Sequence, residues 1–197
     1  MIQLSKSLYL IEDTCHVYAI VNGHDAVLID FGAGQALTEL AAIGVTVRDV
    51  ILTHHHRDQG QNLERAVASG AQVWVPHAEQ DLIADVDAHW QAREIYNNYN
   101  NRQDRFSLRE PIAIAGALRD YETRPFAGRA FQIVPTPGHT TGSITLLAEI
   151  DGRRVAFTGD LIAGPGVVWS LAATQWSYNG AEGVPATVAS LLDLKDR

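Results

Sequence analysis

The stretch Thr53-His54-His55-His56-Arg57-Asp58-Gln59-Gly60 places three imidazoles and a carboxylate in one loop, directly after the apolar run Val50-Ile51-Leu52. Imidazole nitrogen and carboxylate oxygen are ligands that zinc and iron accept. If the chain turns sharply after Leu52, His54 and His56 point the same way, His55 points elsewhere, and Asp58 extends the face of the two ligands. A solvated polar loop or a fortuitous His run is the plainer alternative. An expression tag also makes such runs, but at a terminus and not after a buried strand. The pattern therefore reads as a metal site.

Two further clusters share this context. Residues 131–134 read as a strand leading into Thr136-Pro137-Gly138-His139-Thr140-Thr141-Gly142-Ser143, and 153–157 as a strand ending in Thr158-Gly159-Asp160. Strand ends far apart in sequence thus present His54, His56 and Asp58, then His139, then Asp160, and such groups can converge on one cation.

The elements that must position these groups follow from periodicity and turn signals. Residues 8–11, 17–21 and 26–29 read as strands, the last two joined by the hairpin signal Asn22-Gly23. Asp30-Phe31-Gly32-Ala33-Gly34 reads as a strand-to-helix turn, because it lacks the third glycine of a dinucleotide fingerprint and the Gly-Lys-Ser/Thr end of a phosphate loop. Leu37, Leu40, Ala41 and Ile43 predict a helix capped by Gly44; Leu63, Ala66 and Val67 predict a second closed by Gly70. A strand over 45–52 runs into the His loop, and another over 72–75 stops at Pro76. A third helix is predicted from 78 to 93, with Leu82, Val86, His89 and Trp90 along one side and a break at 97–101. His77 and His89 fit no ligand pattern and read as surface or packing residues.

Residues 97–128 form a polar insert that is either a substrate-facing lid or a long surface connection, with 112–126 extended. Residues 144–150 and 153–157 form a hairpin around Asp151-Gly152. Trp169, Trp176 and Tyr178 read as core packing or, alternatively, as a pocket wall. Residues 184–194 read as a helix with Val188, Leu191 and Leu192 at helical spacing. The alternation of strand and helix predicts an α/β layered fold with the site at the C-terminal ends of strands.

Composition narrows the function class. A chain of 197 residues, 46% hydrophobic and 19% charged, fits a single domain over 1–197 with a sizeable core. With 15 basic against 23 acidic residues the net charge is −8, which disfavours nucleic acid as a partner and leaves a small-molecule substrate. No run approaches the roughly 18 apolar residues of a membrane span. Cys15, the one cysteine, reads as a small buried residue, and the lack of an oxidising signature or leader places the protein in the cytoplasm.

Taken in order, Leu28-Ile29-Asp30-Phe31-Gly32, the 53–60 loop, the 136–143 block and Phe157-Thr158-Gly159-Asp160 resemble the metallo-β-lactamase superfamily over residues 8–160. The last two blocks are most similar to its glyoxalase II and thioester or lactone hydrolase branches, and to the persulfide dioxygenases on the same scaffold. The resemblance implies a four-layer αββα sandwich. It implies that His54, His56 and His139 bind a first metal, Asp160 bridges two metals and Asp58 binds the second. His55 and Thr140 would support the ligands from behind.

Two departures stand out. Gln59 occupies the place of the last His in the family's His-x-His-x-Asp-His loop, and a neutral amide oxygen is a weak zinc ligand, so the second site is weakened or lost. No His follows His139, where the family supplies another ligand beyond a helix. The expectation is a sandwich incomplete at its C-terminus, completed by a missing segment or by a second copy in a homo-oligomer.

The implied activity is hydrolysis of an ester, thioester, lactone or lactam with one or two zinc ions, which lower the pKa of bound water while Asp58 orients that water or takes its proton. A rival reading is a persulfide dioxygenase holding one iron through His139, Asp160 and either His54 or His56. A third is a non-catalytic binding scaffold.

Overall fold

The computed structural model describes residues 1–91, 107–108, 110–168 and 182–197, without the side chains of 89 and 90. Two sheets face each other. The first has strand order β1 (Ile2–Gln3), β2 (Leu8–Glu12), β3 (His16–Asn22), β4 (Asp25–Ile29), β5 (Thr46–Ile51), β6 (Gln72–Pro76) and β7 (Gly116–Leu118). Pairing is antiparallel from β1 to β4 and parallel from β4 to β7. The second is an antiparallel sheet in which β8 (Thr123–Phe126), β9 (Arg129–Pro135), β10 (Ile144–Ile150) and β11 (Arg153–Phe157) stand in sequence order. A small hairpin of β12 (Ile162–Gly164) and β13 (Val167–Val168) follows.

The near-continuous apolar runs of β4 and β5 exist because both faces of the first sheet are covered. Val27, Ile29 and Ile51 face the second sheet, where they pack with Phe131, Ile133, Leu146 and Phe157. Ala26, Leu28, Val47 and Val50 face the opposite side. There they meet Ala36 and Leu40 of α1 (Gln35–Ala41) and Leu63 and Ala66 of α3 (Leu63–Ala68). Val47 and Val50, three residues apart, reach the same core because the β4–β5 register shifts at Ala26/Val27. Such a bulge reverses the strand's alternation and so sets which residues of the following loop turn inward.

A short helix α2 (Arg57–Gly60) begins inside the His loop. The third predicted helix is instead three pieces: a 3-10 turn at His77–Glu79, α4 (Asp81–Ala84) and α5 (Val86–Gln91). Asp85 breaks it with φ −130 and ψ 46. The predicted insert is shorter than 97–128, since β7 and β8 take its second half into the two sheets. The buried apolar stripes are narrower than predicted: Ile43, beyond the end of α1, and Val67 of α3 are exposed.

The last helix, α6 (Gly183–Asp196), packs through small and polar residues. Thr187 and Ser190 are buried while Val188 and Leu192 are exposed, the reverse of the face expected from apolar spacing. The reason lies in the neighbouring loop: Gly138 has no side chain where Thr187 sits, and Ser190 Oγ donates to Pro137 O at 2.7 Å. The residues 169, 176 and 178 proposed for a pocket wall lie outside the described residues, as does the 97–101 break. Among the described residues no helix is long and apolar enough to cross a membrane.

Candidate metal centre

Three strands deliver the site. The His loop leaves β5 at Ile51, the 136–143 loop leaves β9 at Pro135, and Asp160 stands in the 3-10 turn Gly159–Leu161 just beyond β11. Main-chain bonds tie these ends together: Ile144 N donates to Thr53 O at 3.0 Å, and Thr136 N to Ser143 O at 2.8 Å. The Asp30–Gly34 turn packs beneath, with Phe31 N and Gly32 N donating to Gln59 O at 2.8 and 2.9 Å.

His54, His56 and His139 converge, one potential ligand atom from each lying within 4.8 Å of the others. His139 Nε2 is 3.0 Å from His56 Nδ1 and 3.2 Å from Asp160 Oδ2, and Asp160 Oδ2 is 3.9 Å from His54 Nε2. Burial, and then repulsion from the neighbouring imidazoles, holds His54 well below the ordinary histidine value and His56 down to about 2. These rings are therefore neutral, the form in which imidazole ligates a metal.

A buried relay orients the first of them. Asp30, in the left-handed region at φ 60, accepts from Thr53 N at 2.8 Å and from Thr53 Oγ1 at 2.9 Å. Burial pushes the Asp30 carboxyl up to about 8 against those Thr53 bonds, with Asp160 and Asp58 adding to the rise. With the Thr53 hydroxyl donating to Asp30 Oδ2, Thr53 Oγ1, 3.0 Å from His54 Nδ1, is left to accept the proton on that nitrogen. This tautomer leaves the His54 Nε2 lone pair directed at the cluster. His54 Nε2 is buried and has no hydrogen-bond partner among the described residues. A buried polar atom of this kind costs free energy unless something binds it. The donor set, three imidazole nitrogens and a carboxylate oxygen, fits a zinc or iron ion.

The remaining expected residues take different places. Asp58 is outside the three-histidine cluster and opens, with Asp160, Asp30, Gln59, Cys15 and Tyr18, onto a cavity of about 420 Å³. Partial desolvation, then repulsion from Asp160, raises the Asp58 carboxyl above the ordinary value. Gln59 is buried, and its Nε2 donates to Asp58 Oδ2 at 3.3 Å, so its amide is engaged with that carboxylate. Cys15, expected to be buried, is half-buried: it packs against the core and also lines the cavity wall, and burial and the nearby carboxylates push its thiol far up, away from nucleophilic thiolate.

His55 faces away from the cluster ligands, with Nδ1 at 3.0 Å from the buried Glu79 Oε2, and Thr140 Oγ1 bonds Ser143 Oγ at 2.5 Å. Sequence reasoning assigned no role to Asp30, Thr53 or Glu79. Asp30 and Thr53 do occupy fixed places beside the Gly-rich turn and the His run, a usable signal; Glu79 sits in an amphipathic segment that offers none.

A sequence model of the metallo-beta-lactamase superfamily matches residues 10–193. The chain belongs to that superfamily. Curated relatives of this metallo-beta-lactamase superfamily chain include an atrochrysone carboxyl ACP thioesterase of Passalora fulva, 27% identical over 160 residues, covering 77% of this chain and 39% of the relative. A hydroxyacylglutathione hydrolase of Albidiferax ferrireducens is 26% identical over 154 residues, covering 77% of this chain and 49% of the relative. The chain thus spans less than half the length of either. Among solved structures, the class B3 di-zinc metallo-beta-lactamase LRA-12 from an Alaskan soil metagenome superposes with a TM-score of 0.70 at 18% identity. That match covers 100% of this chain and 74% of the other, and it establishes the shared α/β sandwich.

Proposed function

We propose that this chain is a metal-dependent hydrolase that opens a thioester, with the cation held by His54, His56 and His139 and with Asp160 beside it. The observation that carries this reading is the convergence of three imidazoles, two buried and the third half-buried, within 4.8 Å at a carboxylate that also lines the 420 Å³ cavity. Zinc in such a set supplies Lewis acidity, lowering the pKa of a coordinated water and polarising a carbonyl oxygen. Asp58, its carboxyl raised and opening onto the cavity, orients the attacking water and takes its proton. The Gln59 amide on Asp58 Oδ2 fixes that carboxylate's rotation. Tyr18, Ile29, Phe157 and Ile162 give the same cavity an apolar wall for the acyl portion of a substrate. The names of the two curated relatives, a hydrolase of glutathione thioesters and a carrier-protein thioesterase, favour a thioester over a lactam.

A second reading rests on a separate observation: His139 and Asp160 stand 3.2 Å apart next to a further histidine, the two-histidine, one-carboxylate set of mononuclear iron oxygenases. With Gln59 turned to Asp58, one metal is favoured over two. Elemental analysis of protein made without a His tag, together with thiol release from hydroxyacylglutathione and acyl-carrier thioesters, separates the readings. The hydrolase requires at least one equivalent of zinc and turnover abolished by His54→Ala. Iron with oxygen consumption on a persulfide would replace it with the oxygenase, and absence of any bound metal would reduce the chain to a scaffold.

A further inference from the structure

We infer that Glu79 is a positioning residue of the metal centre: its carboxylate clamps the two loops that carry the three histidines at their working separation. The inference rests on the proposed metal site. Glu79 is 1% exposed and lies just beyond β6, outside every block that carries the family resemblance. Its Oε2 accepts from the main-chain N–H of His55, between the two ligands of the first loop, at 2.8 Å. Its Oε1 accepts from the main-chain N–H of Gly142, three residues past His139, at 3.0 Å. One side chain thus spans both loops, and the bonds are to backbone, so they fix where the ligand-bearing chain runs. Gly142 is the complement of this clamp, because a Cβ there would collide with Glu79 Cγ.

The clamp is charged and closed. His55, fully buried, places Nδ1 3.0 Å from Glu79 Oε2. Burial alone would raise the Glu79 carboxyl, but His55, the Thr140 hydroxyl and the Gly142 N–H together bring it below the ordinary value, so the clamp is a carboxylate. A neutral side chain of the same shape cannot replace it. Both oxygens accept N–H groups, so a glutamine amide would turn an NH₂ toward one of them and lose one loop. Loss of a partner bonded directly to a ligand changes metal affinity by about 10–100-fold, and Glu79, which acts one bond further back but on both ligand loops at once, is expected at the lower end of that range.

The test compares wild type, Glu79→Gln, Thr140→Val and Gly152→Ala, the last a remote turn position with open space around it. Zinc affinity is read by competition with a chromophoric chelator, at a temperature where circular dichroism shows each protein folded. Glu79→Gln is expected to weaken zinc binding about 10-fold or more. Thr140→Val, which removes one donor and keeps the carboxylate, should weaken it about threefold, as a partial loss of that same class. Gly152→Ala should bind as wild type, since a purely structural loss does not change the affinity of the folded molecule. If Glu79→Gln folds and binds zinc as tightly as wild type, the clamp is refuted while the metal centre stands. If Glu79→Gln yields no folded protein, Thr140→Val decides, and wild-type affinity there refutes the clamp. Failure of wild type itself to bind zinc overturns both readings.

Discussion

Gly159→Ala probes the contact by which the Asp160 loop rests on the first ligand loop. Gly159 has φ +49, and a Cβ there would lie 2.5 Å from Thr53 Oγ1 and 2.8 Å from Thr53 Cβ. An L-residue held in the left-handed region costs about 1–2 kcal/mol, and forcing a methyl into an occupied space costs about 1–3 kcal/mol more. The sum, about 2–5 kcal/mol, is a large share of the roughly 5–15 kcal/mol that keeps a domain folded. Gly152 supplies the internal control: its φ is +76, yet nothing lies within 4 Å of where its Cβ would be. Gly152→Ala therefore bears only the backbone cost, about 1–2 kcal/mol.

At about 2–4 °C per kcal/mol for a chain of this size, Gly159→Ala should lower Tm by about 4–20 °C and Gly152→Ala by about 2–8 °C. The second readout is specific to the site. Thr53 Oγ1, the atom the new methyl displaces, is also the partner of His54 Nδ1 at 3.0 Å. Zinc affinity should then fall about 10–100-fold in Gly159→Ala and stay unchanged in Gly152→Ala. Urea unfolding of the metal-free proteins and chelator competition measure the two effects. Equal destabilisation by both substitutions, with wild-type zinc affinity in both, would refute the argument that the Asp160 loop is seated on Thr53.

Three further outcomes are expected. Phe131→Ala removes one of the largest fully buried side chains from the interface between the sheets and should cost about 3–5 kcal/mol, read as a lower urea midpoint at unchanged m-value. Asp151→Asn keeps a residue suited to the φ of 51 but weakens an acceptor held by Ser5 Oγ, Ser7 N, Ser7 Oγ and Arg129. Those bonds hold the Asp151 carboxyl down at about 2 from 3.8. A carboxyl depressed by folding stabilises above its unfolded value and loses that effect as pH falls through the folded one. The Tm gap between wild type and variant should therefore be full at pH 7 and close between 3.8 and about 2. Val188→Ala and Leu192→Ala, on the exposed face of α6, should each shift stability by less than about 0.5 kcal/mol, a result checked by the same urea titration.

The strands, their hairpin turns and the blocks at their ends were legible from the sequence because local rules govern them. Alternation and Asn-Gly or Asp-Gly turns mark β3–β4 and β10–β11, and each block that could bear a ligand follows an apolar run. Residue chemistry likewise singled out His54, His56, His139 and Asp160. Their convergence is a tertiary fact, since it depends on a β4–β5 register shift and on which strand ends meet across two sheets. Asp30 and Thr53 had only their places beside the Gly-rich turn and the His run to mark them, and Glu79 had nothing, because a buried carboxylate or hydroxyl looks in sequence like any polar residue; only packing shows that each has its bonds spent on the ligand loops. The face of α6 misled for the converse reason. Its apolar spacing is a genuine local pattern, but the surface it meets is Pro137-Gly138, whose carbonyl and missing side chain select Ser190 and Thr187. A sequence records which side chains can do chemistry; which of them are held still enough to do it is decided by the groups that the fold brings up behind them.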